Sequence, residues 1–100
     1  MREDRQRLDK WLWYARFAKT RSFAARLVSD GYVRVNGERV ENAAKALAVG
    51  DVVTVAAVHN TAVVRVQELG RRRGPAPEAR RLYAALDRDD GALVSAPDTR

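Results

Sequence analysis

The sequence predicts a single α+β domain in which two N-terminal helices pack on a small, partly antiparallel sheet, followed by a short C-terminal helix. Three observations predict it: helical spacing of apolar residues over the first thirty residues, alternation around an Asn-Gly pair, and β-branched runs between residues 52 and 66. A chain of 100 residues can bury one small core. We expect residues 7–66 to form the main domain, 67–90 a basic loop with the short helix, and 91–100 a disordered tail.

Two N-terminal stretches carry apolar residues at the spacing of one helix face. The first helix is predicted over residues 8–18, and the second over residues 21–30 with Phe23 among its inward-facing side chains. Thr20 or Ser22 is suited to cap the start of the second helix. Gly31 is suited to the left-handed position that follows its end.

The middle of the chain has the composition of antiparallel strands. Alternating residues from Val33 to Val40 surround Asn36-Gly37, the strongest short-range signal for a hairpin, because both turn positions need a positive φ. The β-branched runs at 52–58 and 61–66 predict two neighbouring strands joined at His59. Residues 41–48 fit a helical turn or a loop, and the sequence leaves both open.

The C-terminal third is predicted from its breakers and from one apolar stripe. Residues 70–77 form a loop by their glycine and proline content. Ala79, Leu82, Tyr83 and Leu86 then recur at helical spacing and predict the short final helix.

Composition excludes several classes of function. The chain has no cysteine, which excludes disulfides, thiolate zinc sites and thiol nucleophiles. It has one histidine, which excludes histidine-rich metal sites, and we expect no metal and no cofactor. Asp89 and Asp90 follow the last predicted helical position and border the predicted tail, where nothing rigid orients two carboxylates for acid–base chemistry. We therefore expect no enzymatic activity and no small-molecule substrate.

The segments that would mark export or membrane insertion are also not predicted. The N-terminal residues lead into no long apolar stretch, so they do not resemble a secretory signal. The longest apolar run, at 52–58, is far shorter than the ~20 residues that a membrane helix needs. We expect a cytoplasmic protein with no membrane partner.

Charge points instead to a polyanionic partner. Nineteen basic residues against thirteen acidic ones give a net charge of +6. Lys19-Thr20-Arg21-Ser22 lies at the predicted start of the second helix, where the macrodipole makes each cation unfavourable by about 0.3–1 kcal/mol. Cations, hydroxyls and free N–H groups at one corner are typical of a phosphate site, and Arg16 and Arg26 lie within one turn of it. On this account replacing Arg21 by Glu would leave stability unchanged or raise it.

Three further features allow two interpretations each. Trp13 and Phe17 would either stack on unpaired bases or pack under the C-terminal apolar stripe, and packing is the favoured interpretation. Arg34 and Arg39 would either contact RNA or merely form the polar face of a hairpin. The flexible run Arg71-Arg72-Arg73 would serve either phosphate contact or solubility.

Several motifs in order resemble the S4 RNA-binding domain. They are Arg7-Leu8-Asp9-Lys10-Trp11-Leu12-Trp13, Lys19-Thr20-Arg21-Ser22, Gly31-Tyr32-Val33-Arg34-Val35-Asn36-Gly37 and Val49-Gly50-Asp51. The resemblance covers residues 7–56, and the opening motif in a short chain is most similar to the heat-shock protein fifteen branch. That branch usually ends in a longer basic helix, whereas this chain ends in an acidic segment.

The resemblance implies a non-enzymatic protein that binds ribosomal RNA, on large ribosomal subunits stalled with a peptidyl-tRNA. RNA would lie on the face formed by the helices, their connection and the hairpin. With Arg16 from the charged corner, the candidate RNA-binding residues are Arg7, Lys10, Arg16, Lys19, Thr20, Arg21, Ser22, Arg26, Arg34, Asn36 and Arg39. The alternatives are a DNA-associated basic protein and the accessory module of an RNA-modifying enzyme.

Overall fold

A computed structural model of the chain describes residues 4–56 and 61–86. The predicted tail, the turn at His59 and the end of the strand before it lie outside the described residues. The helices are α1 (Leu8–Tyr14), α2 (Arg21–Ser29) and α3 (Ala76–Ala79). The strands are β1 (Gln6–Arg7), β2 (Val33–Val35), β3 (Glu38–Val40), β4 (Ala46–Leu47), β5 (Val52–Ala56), β6 (Thr61–Val66) and β7 (Tyr83–Ala85).

The strands form a five-stranded antiparallel sheet in the order β3-β2-β5-β6-β7, and β1 pairs separately with β4. Strands β2 and β3 are joined by a two-residue turn, since Val35 lies opposite Glu38. Asn36 and Gly37 have φ values of 53° and 86°, the positive angles that a type I′ turn requires. The hairpin and the antiparallel pairing of β5 with β6 are confirmed.

The core lies between the two long helices and one face of the sheet. Alternate residues of β2, β5 and β6 point toward the helices, as the period of a strand dictates. The buried strand residues are Val33, Val35, Val53, Val55, Val64 and Val66. The buried helical residues include Leu8, Trp11, Leu12, Ala24 and Val28. The predicted α+β architecture, with two N-terminal helices on a sheet, is confirmed.

Residues 41–48 contain a turn followed by the short strand β4, and together these hold the start of α1. Within the turn, the side-chain oxygen of Asn42 accepts a hydrogen bond from the N–H of Ala44 at 2.9 Å. The N–H groups of Leu8 and Asp9 donate to the carbonyl oxygens of Lys45 and Ala43, at 2.9 and 3.1 Å. A helix leaves its first N–H groups without intrahelical acceptors, and here the backbone of a distant loop supplies two of them.

Helix α1 ends at Tyr14, four residues before the predicted end. The N–H of Phe17 donates to the carbonyl of Leu12, and that of Arg16 to Trp13, which is the hydrogen-bond pattern of a Schellman motif. Arg16 therefore occupies the left-handed position, with φ at 68°. The prediction of a helix to residue 18 was wrong because apolar spacing continues past the turn and no glycine marks it.

Helix α2 ends by the same hydrogen-bond pattern, but with a glycine at the left-handed position where α1 has an arginine. The N–H of Tyr32 donates to the carbonyl of Leu27, and that of Gly31 to Val28. Gly31 has φ at 87°, so the predicted C-terminal glycine is confirmed. The two helix ends are therefore alike in backbone geometry, but only the second carries the residue that normally signals it.

The segment after β6 packs along α1. The indole N–H of Trp11 donates to the carbonyl of Glu68 at 3.0 Å. The side-chain amide of Gln6 both donates to and accepts from the backbone of Gly70, at 2.9 and 3.0 Å. Further along, the Nε of Arg16 donates to the carbonyl of Gly74 at 2.7 Å. The loop predicted from its glycines and prolines is thus fixed by contacts with the first helix.

The predicted final helix is replaced in part by a strand. Helix α3 covers four residues, a 3₁₀ turn covers Arg80–Leu82, and β7 then pairs antiparallel with β6. Tyr83, predicted on a helix face, instead packs in the sheet against Phe17, with the ring centroids 4.9 Å apart. Four apolar residues at helical spacing fit either a helix or a turn followed by a strand. The strand forms here because the free edge of β6 offers it a pairing partner. The division of the chain at residue 66 stays a prediction.

We expect Gly70→Ala to lower the melting temperature by roughly 5–15 °C, because overpacking of a fixed contact costs 1–3 kcal/mol in a domain of this size. A Cβ at Gly70 would lie 2.5 Å from Cδ2 and 2.8 Å from Cβ of Tyr14. The backbone of Gly70 is not left-handed, so the cost is steric alone. Thermal unfolding followed by circular dichroism measures it.

The control is Arg72→Gln, which removes a surface ion pair with Glu78 and should change the melting temperature much less. An unchanged melting temperature for Gly70→Ala would contradict the close packing of this segment on α1.

Candidate nucleic-acid interface

The connection between α1 and α2 ends in a capped helix start. Thr20 has extended backbone geometry, and its hydroxyl oxygen accepts a hydrogen bond from the N–H of Phe23 at 3.0 Å. Of the two predicted caps, Thr20 is therefore the one used. Ser22 lies exposed in the first turn, which holds no acidic residue. The N–H groups and the macrodipole at this end favour an anion.

A buried carboxylate lies behind this corner. The side chain of Asp9, in the first turn of α1, is only 4% exposed. Its two oxygens accept hydrogen bonds from Nε and Nη2 of Arg7 at 3.1 and 3.2 Å. The Nε of Arg21, from the start of α2, lies 3.7 Å from Asp9 Oδ2. These hydrogen bonds to Asp9 raise the pKa of Arg7 above its ordinary value.

The contact with Asp9 corrects the expectation about the stability of Arg21→Glu. That expectation considered only the macrodipole of α2, on which an acid would be favourable. In the structure a glutamate at this position would face the buried carboxylate of Asp9 in place of a cation. Loss of an attractive partner and gain of a repulsive one lower stability, so with this contact in place we expect Arg21→Glu to be destabilising, opposite to the expectation from the macrodipole alone.

Three more predicted cations lie on these two helices or on their connection. Lys19 is exposed beside the Thr20 cap, and Arg26 is exposed in the last turn of α2, where the macrodipole favours a cation. Among residues 4–56 and 61–86, no carboxylate lies within ion-pair distance of Lys19 or Arg26. The ammonium of Lys10 lies 5.8 Å from the centre of the Tyr14 ring.

Arg16 differs from the other predicted cations in how its side chain is used. Arg16 follows the C-terminal end of α1, where its backbone is left-handed, and its Nε donates to the carbonyl of Gly74. For a non-glycine residue this backbone geometry costs about 1–2 kcal/mol. The hydrogen bond to Gly74 offsets part of that cost, which gives Arg16 a structural role whether or not it also meets a ligand.

The hairpin places two arginines side by side. Arg34 on β2 lies directly opposite Arg39 on β3, an arrangement of like charges that is unfavourable without counter-charges. The Nε of Arg39 lies 3.3 Å from a carboxylate oxygen of Glu41. Arg34 is exposed on the sheet face that points away from the helices. Of the two, Arg34 is the one that no described carboxylate contacts.

Asn36 has a clear structural role at the tip of the hairpin. Its side-chain oxygen accepts a hydrogen bond from the N–H of Val52 at 2.9 Å, and its amide nitrogen donates to Asp51 at 3.2 Å. Its backbone N–H donates to the carbonyl of Val52 at 2.7 Å. These bonds attach the hairpin turn to the start of β5.

Trp13 and Phe17 were predicted to share one environment, but they have different aromatic neighbours in the structure. Phe17 packs between Trp11 and Tyr83, and Trp13 stacks on Tyr14 with ring centroids 5.5 Å apart. The favoured interpretation, packing under the C-terminal apolar stripe, is confirmed for Phe17, which contacts Tyr83, whereas Trp13 packs against the core beside Tyr14.

The exposed aromatic side chains are others. Phe23, predicted to face inward, is 47% exposed, so that prediction was wrong, and Tyr32 is 52% exposed. The spacing of apolar residues predicted both Phe23 and its neighbour Ala24 to face inward, but only Ala24 is buried.

The arginine run near residue 72 is occupied by internal contacts. Arg73 donates to the carbonyls of Trp13 and Ala18, at 3.2 and 3.5 Å, near the end of α1. Arg72 donates twice to Glu78, at 3.1 and 2.7 Å, and these bonds lower the pKa of Glu78. The interpretation of this run as flexible was therefore wrong for these two side chains.

Asp9 is the residue of this region that the sequence analysis missed. An acid in a first helical turn normally serves the macrodipole alone, so its position in the opening motif does not by itself predict ion pairs. The signal available in the sequence was an arginine two residues before it.

Within the described residues, no group of three histidine, cysteine or acidic side chains is placed to hold a metal. No described helix is long and apolar enough to span a membrane.

Comparison with known proteins places the chain in a family. Residues 6–53 match the S4 domain. The heat shock protein 15 homolog of Haemophilus influenzae is 39% identical over 83 residues, 83% of this chain and 63% of that protein. A trimeric structure of Vibrio cholerae heat shock protein 15 has a TM-score of 0.79 and 35% identity, and covers 91% of this chain and 96% of that chain. The chain belongs to the heat shock protein 15 family.

The S4 domain also connects this heat shock protein 15 family member with ribosomal proteins. Small ribosomal subunit protein uS4 of Xanthobacter autotrophicus is 42% identical over 72 residues, which is 70% of this chain and 35% of that protein. The chain spans about three fifths of the length of the curated heat shock protein 15 relatives that it matches. The predicted resemblance is confirmed.

The contacts of Asn36 lead to a test of the hairpin. We expect Asn36→Ala to lower the free energy of unfolding by about 1–3 kcal/mol, because alanine is unfavourable at positive φ and loses two side-chain hydrogen bonds. Asn36→Gly should lose less, since glycine tolerates the backbone geometry. Urea denaturation measures both, and equal stability of Asn36→Ala and the unmodified protein would contradict the structural role.

Proposed function

We propose that this protein is a non-enzymatic RNA-binding protein whose interface is the corner between α1 and α2 together with the β2–β3 hairpin. The single observation that carries the proposal is the start of α2. There exposed cations, a hydroxyl cap and helix N–H groups surround one point, with no acidic residue in the first turn. Lys19 has no carboxylate within ion-pair distance among the described residues, so no ion pair there offsets the macrodipole that makes a cation unfavourable at this point.

The chemistry of the corner fits phosphate. Lys19 supplies a mobile ammonium, and the N–H groups of the first turn supply fixed donors along the helix axis. Arg7 and Arg21 add planar guanidinium groups, each about half exposed. Arg34 and Arg39 extend the positive charge along the hairpin, and Arg26 along α2.

The family supports RNA as the source of that phosphate. The relatives include heat shock protein 15 and a ribosomal subunit protein, and the match to the latter covers most of this chain. We propose further that the RNA is ribosomal, that the target is a large ribosomal subunit stalled with a peptidyl-tRNA, and that the protein acts in the cytoplasm. This finer proposal rests on the resemblance to the heat-shock branch.

We expect RNA binding to depend steeply on salt. If about five phosphates are neutralised, log affinity against log salt should have a slope of about −3.5 to −4.5, a loss of roughly 10²–10³ between 50 and 200 mM. Fluorescence anisotropy with a labelled RNA hairpin measures it. A slope shallower than about −1 would contradict a phosphate interface, and equal competition by duplex DNA of the same length would favour a general polyanion binder.

Two double variants of equal charge locate the interface. We expect Lys19→Gln with Arg26→Gln to weaken RNA binding by roughly tenfold or more and to flatten the salt slope by about 2, because each lost phosphate contact contributes about 1. Arg72→Gln with Arg81→Gln removes the same charge near Glu78 and should have a much smaller effect. Equal losses for the two pairs would show diffuse attraction and contradict a localised site.

A further inference from the structure

We infer that Asp9 is a positioning residue for RNA binding: its buried carboxylate holds Arg7 and Arg21 side by side so that both guanidinium groups face one phosphate. This inference rests on the proposed function and deepens it. Asp9 itself contacts no ligand, because its side chain is almost wholly buried. It acts through the two arginines.

The geometry brings the two cations to one atom. The Nη2 of Arg7 lies 3.2 Å from Oδ2 of Asp9, and the Nε of Arg21 lies 3.7 Å from the same oxygen. Arg7 precedes α1 and Arg21 begins α2, so Asp9 joins the starts of both helices. Two guanidinium groups that would otherwise repel each other are neighbours because a carboxylate lies between them and the core.

Both arginines keep donors for a ligand. A guanidinium has five N–H donors, and the side-on pair with Asp9 uses two of those on Arg7. The Nε of Arg21 lies 3.7 Å from Oδ2 of Asp9, which is longer than a hydrogen bond, so Asp9 does not occupy the N–H donors of Arg21. The side chains of Arg7 and Arg21 are 50% and 43% exposed, whereas that of Asp9 is 4% exposed. The carboxylate therefore lies on the inner side and the remaining donors on the solvent side.

The charge balance favours an anion at this place. One carboxylate faces two guanidinium groups, so a net positive charge remains. Arg21 is also the first residue of α2, directly after the Thr20 cap, so its backbone belongs to the helix turn whose N–H groups favour an anion. A phosphate there would meet two planar donors held in place before binding, which reduces the entropy lost on association.

Asp9→Asn separates positioning from simple electrostatics, because the two accounts predict opposite signs. The substitution raises the net charge by one unit, so diffuse attraction predicts tighter RNA binding. Loss of the carboxylate frees both arginines, so positioning predicts binding roughly tenfold weaker, the expected result of re-ordering two long side chains. The measurement is the anisotropy of a fluorescein-labelled RNA hairpin at fixed salt, on protein shown by circular dichroism to be folded.

Asp30→Asn is the matched control. Asp30 is exposed at the opposite end of α2, and its substitution makes the same chemical and charge change. It should leave RNA affinity unchanged or slightly raised. If Asp9→Asn binds RNA as tightly as Asp30→Asn, the positioning role is overturned while the proposed function stands. If the unmodified protein does not bind the RNA at low salt, the proposed function itself fails.

A double-mutant cycle excludes a purely structural effect. In a background of Arg7→Gln with Arg21→Gln, Asp9→Asn should cause no further loss of RNA affinity, because the side chains that it positions are absent. A loss that persists in this background would show that Asp9 acts on the fold, and would overturn the inference.

A spectroscopic measurement covers the case in which Asp9→Asn does not fold. In the free, unmodified protein the Nε–H proton of Arg7 should exchange with water more slowly than that of exposed Arg26, because it donates to the buried carboxylate. The Nε–H proton of Arg21, 3.7 Å from the same carboxylate, should exchange at an intermediate rate. Equal exchange rates for the three arginines would show that Arg7 and Arg21 are not held before RNA binds, and would overturn the inference.

Discussion

Trp11 joins the parts of this small domain that are distant in sequence. Its side chain is fully buried, and its indole N–H donates to the carbonyl of Glu68, across most of the chain. Its ring stacks near Phe17 and meets the edge of Tyr83, so α1, the helix connection and β7 share one aromatic contact. A buried indole must find an acceptor for its N–H, and that need holds the segment after β6 against α1. The proposed interface depends on this packing because α1 and the helix connection carry three of its eight candidate cations, Lys10, Arg16 and Lys19.

Charge serves two separate purposes in this protein, and composition alone does not distinguish them. The guanidinium groups of Arg16 and Arg73 donate to backbone carbonyls, and that of Arg72 to a carboxylate, so these cations stabilise the fold. Lys19 and Arg26 lie exposed beside a helix start and along its helix. A net charge of +6 therefore overstates the surface offered to a polyanion, and the location of each cation decides which purpose it serves.

Local signals in the sequence predicted those elements whose geometry one or two residues determine. Asn36-Gly37 specifies its turn because both residues tolerate a positive φ, and Gly31 ends α2 for the same reason. Alternating valines specify the buried face of β2 and β5 because a strand has a period of two. The candidate site residues between 16 and 26 were also predicted from local patterns, whereas Arg7 and Lys10 were predicted only through the family resemblance. These features require no knowledge of distant contacts.

The elements that were missed depend on partners distant in the chain. Arg16 adopts a left-handed backbone without the usual glycine, and the compensating acceptor is Gly74, far along the sequence. Tyr83 enters a strand because β6 offers a free edge, which the spacing of four apolar residues does not reveal. Asp9 makes one ion pair that is local in sequence and one that is not. Arg7 is a neighbour in sequence, whereas Arg21 comes close to Asp9 only when α2 folds back on α1. A residue that connects two such partners is recognised as functional only from the folded chain, because its role lies in the relation between them.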